Sequence, residues 1–235
     1  MFLRRLTIRH RTPELMDQPE LNPAEHISAL RGLERINRWS FSSKIIWRAL
    51  QDLTPKDGQP FQFLDIACGA GDVALSLWQK AKRANFPLQI TACDISPVAI
   101  EYAERKARQL NADISFRLID ALNGELPPNQ DAVACSLFLH HLDEDDAIRL
   151  LSRMASIGRH VLVNDLSRSR LGYSLAWIVT RLLTRSHIVH VDGPLSVEGA
   201  FKPAEALALA KKAGLRGASV SRRWPCRFLL RWSRP

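Results

Sequence analysis

The sequence predicts an α/β fold with a doubly wound, mostly parallel sheet. Apolar segments typical of buried strands alternate with amphipathic helical segments, and this pattern places helices on both faces of such a sheet. A glycine turn after the first strand and an aspartate near the end of each of the first three strands support the same fold. The predicted elements are strand 61–67, helix 72–83, strand 88–94, helix 97–110, strand 114–119, strand 131–138, helix 143–157 and strand 159–165.

The first predicted strand runs into the turn Gly69-Ala70-Gly71, and a helix opens at Asp72. Glycine allows backbone angles and a close approach that a side chain would block. The first amides of the helix are unpaired donors at the positive end of its dipole, so they suit an anionic group such as a carboxylate or phosphate. The turn therefore predicts a ligand site.

Three aspartates mark the ends of successive strands: Asp65, Asp94 and Asp120. Ligands of doubly wound sheets bind outside the carboxyl ends of the strands, so these side chains are expected to converge there. Asp94 follows Gly71 by 23 residues. Folds of this kind place the acid that binds ribose hydroxyls at about 20 residues past the glycines.

The chain begins with an arginine-rich segment, residues 1–20, that is predicted to be an irregular arm. Asn22-Pro23-Ala24-Glu25 is typical of a helix start, and this helix is predicted to reach about Asn37. A second helix is predicted from Ser42 or Ser43 to about Leu53.

The pattern changes after Leu166. Residues 171–183 form a short, nearly all-apolar helix flanked by arginines. It is too short to cross a bilayer but could lie in its surface. A helix over 203–213 and two strands, 217–224 and 226–232, that turn at Pro225 complete the chain.

Four segments in order resemble the successive motifs of class I S-adenosylmethionine-dependent methyltransferases. The resemblance covers roughly residues 60 to 166 and is nearest to the small-molecule branch that includes quinone-biosynthesis methyltransferases. It implies a Rossmann-like sheet of seven strands, one of them antiparallel. The segments are FLDIACGAGDVA, ITACDIS, LIDALN and AVACSLFLHHL.

The resemblance implies S-adenosyl-L-methionine as the cofactor. The turn Gly69–Gly71 would hold its methionine moiety, with Asp65 near the ammonium. Asp94 would accept both ribose hydroxyls, and Asp120 would accept the adenine amino group beside the backbone of Ala121. The full set of predicted cofactor-binding residues is Asp65, Ala67, Gly69, Gly71, Asp94, Ile95, Asp120, Ala121 and Leu137.

The same resemblance divides the chain. Residues 1–55 would form an arm and helices that cover the cofactor pocket, and residues 56–235 the methyltransferase domain. Asn37 and Arg38 would lie near the methionine end, with an exposed arginine at a helix end as the alternative. The segment 167–200 would be an insertion that forms part of the substrate pocket.

Methyl transfer from a sulfonium is a direct displacement, so the protein must hold the acceptor in line and exclude water. A phenol has a pKa of about 10, so a base would help at neutral pH. His140 and His141 follow the fourth strand and are the candidate bases; a pair that caps the next helix is the alternative. The predicted substrate-binding residues are Phe138, Trp177, His187 and His190.

The charge of the chain is unevenly distributed. The formal net charge is +9, and residues 166–235 carry 13 Lys or Arg against three Asp or Glu. Such a basic segment suits a nucleic acid, an anionic membrane surface, an acidic substrate or plain solvent exposure. The start of the sequence has no signal-peptide pattern, so a cytoplasmic protein is expected, with peripheral membrane contact left open.

No metal site is predicted, because the four cysteines show no Cys-x-x-Cys pairing and are expected to be reduced thiols. Oligomeric state stays open.

The leading hypothesis is a methyltransferase that acts on oxygen or carbon of an aromatic, quinone-like or lipid-tailed small molecule. An RNA methyltransferase that tracks phosphates with its basic C-terminal face is one alternative, although nucleic-acid signature motifs are missing from the fourth strand. A nicotinamide-binding oxidoreductase built on Gly-x-Gly-x-x-Ala is another, and Asp65 and Asp120 argue against it. A cofactor-binding protein without activity is the last.

Overall fold

The computed structural model describes residues 6–18, 20–53 and 59–235, without the side chains of residues 38–40. The boundary predicted at residues 55 and 56 lies outside these ranges. In the described part the strands are β1 (Phe61–Ile66), β2 (Leu88–Asp94), β3 (Ile114–Leu118), β4 (Gln130–Ser136), β5 (Gly158–Leu166), β6 (Ser219–Arg223) and β7 (Arg227–Ser233). The helices are α1 (Pro23–Ser40), α2 (Ser42–Gln51), α3 (Asp72–Ala84), α4 (Pro97–Leu110), α5 (Glu144–Ile157), α6 (Arg170–Leu183), α7 (His187–Gly199) and α8 (Pro203–Lys212).

The seven strands form one sheet in the order β3-β2-β1-β4-β5-β7-β6. β7 runs antiparallel to both of its neighbours, and the other pairings are parallel. The predicted α/β fold is therefore confirmed. The strand order reverses between β1 and β4, where the register pairs Ile66 with Cys135 and brings the two carboxyl ends level. Ligands of such sheets bind at this reversal.

Alternation along the buried strands divides the core between the two faces of the sheet. Phe63 on β1 and Ala132 on β4 pack on one face with residues of α2 and α3. Leu64 and Val133 pack on the other face with residues of α5 and α8. Successive side chains of a strand point to opposite faces, so both faces of the central strands are apolar and covered by helices.

Capping side chains set several helix starts. The Asn22 side chain accepts a hydrogen bond from the amide of Ala24 at the start of α1, as the sequence predicts, and that of Ser96 accepts one from Ala99 at the start of α4. α1 continues past Asn37 to Ser40. Its residue Leu30 packs with Ala70 of the glycine turn, so α1 lies over the carboxyl end of the sheet.

The structure differs from the sequence prediction at two points near the site. Helix α7 was not predicted, because Gly193 and Pro194 interrupt its apolar pattern. The histidine pair does not cap α5: Asp143 does, by accepting a hydrogen bond from the amide of Asp146. His140 and His141 belong instead to a separate helical turn, Leu139–His141.

The cysteines and the lengths of the helices bear on two expectations drawn from the sequence. All four cysteines are free thiols, and Cys68, Cys93 and Cys135 are buried. Among the residues that the structure describes, no helix combines the length and the apolar character needed to cross a membrane.

Candidate active site

A cavity of about 390 Å³ opens at the carboxyl ends of β1 and β4. The glycine turn and the residues after β4 form its floor, and α1, α6, α7 and the turn between β6 and β7 form its walls. Much of the wall is aliphatic, for example Leu33 on α1 and Leu175 and Val179 on α6. The polar lining includes Asp65 near the glycine turn and the histidine pair after β4.

The two glycines of the turn have different surroundings. Both have a positive φ, +51° at Gly69 and +69° at Gly71. A Cβ on Gly71 would lie 3.0 Å from Ala103 Cβ and 3.1 Å from Phe116 Cε1, so this residue is enclosed by the protein. A Cβ on Gly69 would meet no atom of the described chain within 4 Å, and Gly69 lines the cavity. The open side of the turn is therefore the side of Gly69.

The residues that follow the two central strands also have left-handed backbones. Ala67 has φ +53° after β1, Leu137 has φ +58° after β4, and both line the cavity. Such angles are unfavourable for residues other than glycine, and they occur preferentially at functional sites. These two predicted cofactor residues thus flank the reversal point of the sheet.

Asp65 is 2% exposed, and its Oδ2 has no hydrogen-bond partner among the described residues. Burial, together with the charges of Asp72 and Asp94, raises the pKa of this carboxyl group to about 8. A buried polar atom without a partner is unfavourable. Since Asp65 lines the cavity, its carboxylate would be stabilised by a cationic group of a ligand.

Asp94 lies behind the glycine turn. Its Oδ2 accepts a hydrogen bond from the amide of Gly69 at 2.8 Å, and its Oδ1 accepts one from the amide of Ser96 at 2.9 Å. Each carboxylate oxygen can accept more than one hydrogen bond. Asp94 therefore holds the turn in place and retains acceptor capacity for a ligand.

Asp94, like Asp120, Ile95 and Ala121, is not among the residues that line the cavity. Asp120 closes its own turn: it accepts hydrogen bonds from the amide of Leu122 at 2.8 Å and from the side chain of Asn123 at 2.7 Å. Ile95 is 67% exposed, and Ala121 is buried. Asn37 lines the cavity as expected, whereas the side chain of Arg38 lies outside the described residues.

The histidine pair is fixed from behind by two carboxylates. Nδ1 of His140 lies 2.6 Å from Oδ1 of Asp165, the penultimate residue of β5, and the amide of His140 donates to Oδ2 of Asp165. Nδ1 of His141 lies 2.8 Å from Oδ2 of Asp17 in the arm. The ring centroids are 4.3 Å apart, and both residues line the cavity.

Glu14 faces the other nitrogen of both rings. Its Oε1 lies 3.7 Å from Nε2 of His140, and its Oε2 lies 3.9 Å from Nε2 of His141. The hydroxyl of Ser196 on α7 donates to Glu14 Oε1 at 2.5 Å. Glu14, His140 and His141 together form the Glu14 cluster.

The charged groups of this region shift one another's pKa values. Burial lowers the pKa of His141, but the charges of Glu14 and Asp17 and the hydrogen bond to Asp17 outweigh it and raise this pKa to about 9. Burial raises the pKa of Asp165, but His140 outweighs it and holds the pKa below its ordinary value. Asp165 is therefore a carboxylate that fixes the His140 ring.

The arm is anchored so that Glu14 reaches the cavity. The guanidinium of Arg9 donates to the carbonyl oxygens of Gly199, His140 and Leu142. The side chain of Asp192 on α7 accepts hydrogen bonds from the amides of Leu15 at 2.9 Å and Met16 at 3.0 Å. The segment around Glu14 is thus tied to both α7 and the turn after β4.

Four residues near the cavity were not predicted from the sequence: Glu14, Asp17, Asp165 and Arg227. Asp165 lies near a strand end, as Asp65 and Asp94 do, so that signal was available. Glu14 and Asp17 belong to the irregular arm and carry no local signal. Arg227 starts β7, lines the cavity and donates to Ser42; burial lowers its pKa to about 10 against the charges of Asp165 and Asp72.

The structure does not bring the four predicted substrate residues to the cavity lining. Trp177 is 47% exposed and lies beneath the guanidinium of Arg181, because α6 turns its other face, with Leu175 and Val179, to the cavity. His187 is exposed, and Nε2 of His190 lies 2.8 Å from the carbonyl oxygen of Thr184. Phe138 stacks on the outer side of the His141 ring.

Residues 63–160 match the family described as a methyltransferase domain. The ubiquinone biosynthesis O-methyltransferase of Xanthomonas euvesicatoria pv. vesicatoria is 27% identical over 161 residues, which cover 67% of this chain and 64% of that protein. The one of Chromobacterium violaceum is 27% identical over 159 residues, 65% of this chain and 63% of that protein. The chain thus matches less than two thirds of these relatives' length.

Solved structures share the fold. A SAM-dependent methyltransferase from Aquifex aeolicus has a TM-score of 0.61 and 17% identity, covering 91% of this chain and 98% of that one. Magnesium protoporphyrin IX methyltransferase from Synechocystis PCC 6803, solved with bound SAH, has a TM-score of 0.57 and 18% identity, covering 93% and 90%. Residues 63–160 therefore resemble a methyltransferase domain, and the described sheet has the fold of these solved methyltransferases.

Proposed function

We propose that the protein transfers the methyl group of S-adenosylmethionine to a small aromatic, quinone-like or lipid-tailed acceptor, at an oxygen atom in preference to carbon. The observation that carries the proposal is the buried, unpartnered Oδ2 of Asp65 beside a glycine turn that is open on the side of Gly69. A carboxylate in this place matches the ammonium of a methionine moiety, and the turn leaves room for the chain of the ligand.

The remaining cofactor contacts follow from positions along the same edge of the sheet. Asp94 would accept the ribose hydroxyls with the acceptor capacity that Gly69 and Ser96 leave free. Asp120 and the backbone of Ala121 would bind the adenine, beyond the end of β3. Ala67, Ile95 and Leu137 would enclose the cofactor. The magnesium protoporphyrin IX methyltransferase with this fold was solved with SAH, which agrees with this cofactor.

The acceptor would occupy the aliphatic part of the cavity between α1 and α6. These walls favour a hydrophobic molecule over a nucleotide. The Glu14 cluster is the polar group that could receive a hydroxyl of such a molecule, which is why methyl transfer to oxygen is preferred. The curated relatives are named O-methyltransferases of ubiquinone biosynthesis.

In the proposed reaction, an acceptor oxygen attacks the methyl carbon, and the carbon–sulfur bond breaks. The methyl ether and S-adenosylhomocysteine are the products. The donor is already activated as a sulfonium, so the protein contributes mainly by orienting the acceptor and excluding water. His140 and His141 would assist the loss of the hydroxyl proton.

We propose that a lipid-tailed acceptor enters the cavity while the protein is in peripheral contact with an anionic membrane. Helix α6 forms a wall of the cavity, and near its C-terminal end Leu182 is 76% exposed. Trp224, in the turn between β6 and β7, is 68% exposed and also borders the cavity. Arg181 and Arg185 on and after α6 could bind acidic headgroups.

The test supplies S-adenosylmethionine labelled in its methyl group to the purified chain together with a total bacterial extract. Label that partitions into organic solvent would support the proposal. Label in nuclease-sensitive aqueous material would overturn it in favour of RNA methylation. Asp94→Ala should abolish transfer, whereas Asp145→Ala, an exposed aspartate on α5, should not.

A further inference from the structure

We infer that Glu14, His140 and His141 bind one divalent transition-metal cation, of which Zn²⁺ is the type, at the wall of the cavity. The inference rests on the proposed function for the role of this cation, which is to bind the acceptor oxygen. The binding site itself is inferred from the three side chains alone. The cysteine pattern predicted no metal site. The site inferred here has histidine and glutamate ligands and no thiolate.

The donor atoms of the three side chains lie close to one another. The Nε2 atoms of His140 and His141 lie 3.7 Å and 3.9 Å from the nearest oxygens of Glu14. One ligand atom from each of the three residues can be chosen so that all lie within 4.8 Å of one another. Ligand atoms that share one tetrahedral zinc ion lie roughly 3.3–3.6 Å apart, because each bond is about 2.0–2.2 Å. The three side chains would therefore move slightly closer together when the ion binds.

The separations between the Nε2 atoms and the Glu14 oxygens are too long for direct hydrogen bonds. A protonated imidazole and a carboxylate that interact directly approach to about 2.7–2.9 Å. Both rings instead stop about an ångström short of Glu14 while they make short contacts on the other side, 2.6 Å to Asp165 and 2.8 Å to Asp17. The two Nε2 atoms and the carboxylate oxygens thus lie close together without reaching hydrogen-bond distance.

A carboxylate lies behind each of the two imidazole rings. Histidine ligands of metal ions almost always donate their other N–H to a carboxylate, a carbonyl or water, which directs the free lone pair at the metal. Asp165 and Asp17 take this position at Nδ1 of His140 and His141. Ser196 in turn fixes Glu14 Oε1. Each of the three ligands is therefore oriented by a partner from a different segment.

The ligand types indicate the kind of cation. Two imidazoles and one carboxylate suit zinc and the neighbouring transition metals, whereas Mg²⁺ prefers oxygen ligands and retains water. Three protein ligands also leave a coordination position open, as in catalytic zinc sites. All three residues line the cavity, so this open position is accessible to an acceptor.

A bound cation would give the cluster a specific role in methyl transfer. It lowers the pKa of a coordinated hydroxyl, so the acceptor O–H bond breaks and the proton leaves to solvent. The oxygen then attacks the methyl carbon, and the electrons of the carbon–sulfur bond go to sulfur. The cation is neither oxidised nor reduced, and no further reactant is required.

The test uses the full chain, stripped of metal with a chelator and titrated with Zn²⁺ and, separately, Mg²⁺. We expect one Zn²⁺ per chain and at least tenfold weaker binding of Mg²⁺. Glu14→Gln and His141→Ala should each weaken Zn²⁺ binding by more than about 100-fold, since loss of outer partners alone costs about 10–100-fold. The matched controls Glu20→Gln and His10→Ala, exposed residues of the same arm, should leave it unchanged.

Two readouts separate the site from the proposed function. Titration with S-adenosylmethionine shows whether each variant keeps its cofactor site, and thermal unfolding shows whether it folds. Zinc binding that is equal in wild type and in Glu14→Gln would overturn the inferred site. Specific zinc binding with transfer that does not change on metal removal would overturn the catalytic role. Specific zinc binding without any methyl transfer would support the site and contradict the proposed function alone.

Discussion

Nε2 of His140 lies 3.7 Å from Oε1 of Glu14, although the two residues are 126 positions apart in the chain. The contact joins the N-terminal arm to the turn that follows β4. Asp165 at the end of β5 and Ser196 on α7 complete it. Four separate segments therefore meet at one point of the cavity wall.

Asp65→Asn should weaken S-adenosylmethionine binding by tenfold or more. The variant has no negative charge to pair with the ligand ammonium, and the wild-type Oδ2 is buried and unpartnered. Isothermal titration calorimetry measures the change, and Asp145→Asn is the control. An unchanged affinity in a folded Asp65→Asn protein would contradict the assignment of Asp65.

Cofactor binding should release a proton near neutral pH. The pKa of Asp65 is raised to about 8 without ligand, so the group is largely protonated at pH 6–7, and pairing with an ammonium lowers its pKa. Affinity should therefore rise with pH by up to about tenfold per unit between roughly pH 6 and 7.5, below the ordinary range of an α-amino group. Calorimetry in buffers of different ionisation enthalpy counts the proton, and Asp65→Asn should abolish its release.

The two glycines of the turn should respond differently to alanine. Gly71→Ala adds a Cβ at 3.0–3.1 Å from Ala103 and Phe116 at a positive φ, so it should destabilise the fold by about 2 kcal/mol or more. Gly69→Ala has the backbone cost alone, about 1–2 kcal/mol, but its methyl group enters the proposed cofactor space. Urea unfolding and cofactor titration distinguish the two; a larger stability loss in Gly69→Ala would contradict the geometry.

Asp192→Asn should loosen the arm. The carboxylate accepts hydrogen bonds from the amides of Leu15 and Met16 with its two oxygens, whereas an asparagine has one acceptor oxygen. Limited proteolysis should cut the arm several-fold faster, and Zn²⁺ affinity should fall because Glu14 is less well placed. Proteolysis at the wild-type rate would show that Arg9 and its neighbours hold the arm without Asp192.

Leu182→Glu should reduce binding to vesicles that contain anionic lipid. Leu182 is 76% exposed on α6 between arginines, and a carboxylate there repels acidic headgroups and prevents apolar insertion. Leu110→Glu, 44% exposed at the end of α4, is the control. Co-sedimentation measures the difference. If neither variant changes vesicle binding, α6 is not the membrane contact.

Apart from α7, the local pattern of the sequence determined the succession of strands and helices along the chain and the position of the glycine turn. Three features depend only on neighbours within a few residues of the chain. They are the burial pattern of the strands, helix capping by Asn22 and Ser96, and the aspartates near the strand ends. Such features can be predicted from the sequence because the side chains of a strand or helix return to the same environment at a fixed period. The same signals placed Asp65, Gly69 and the histidine pair at one edge of the sheet. In the structure, all four residues line one cavity.

Only the tertiary structure decided what surrounds that edge. Glu14 and Asp17 lie in an arm without periodicity, and they reach the histidines through the contacts that Arg9 and Asp192 make with distant segments. The packing of α6 turned Trp177 outward and Leu175 inward, which the all-apolar helix left open. Contacts between segments far apart in the chain follow from how whole elements pack, and a pattern read over neighbouring residues does not contain them.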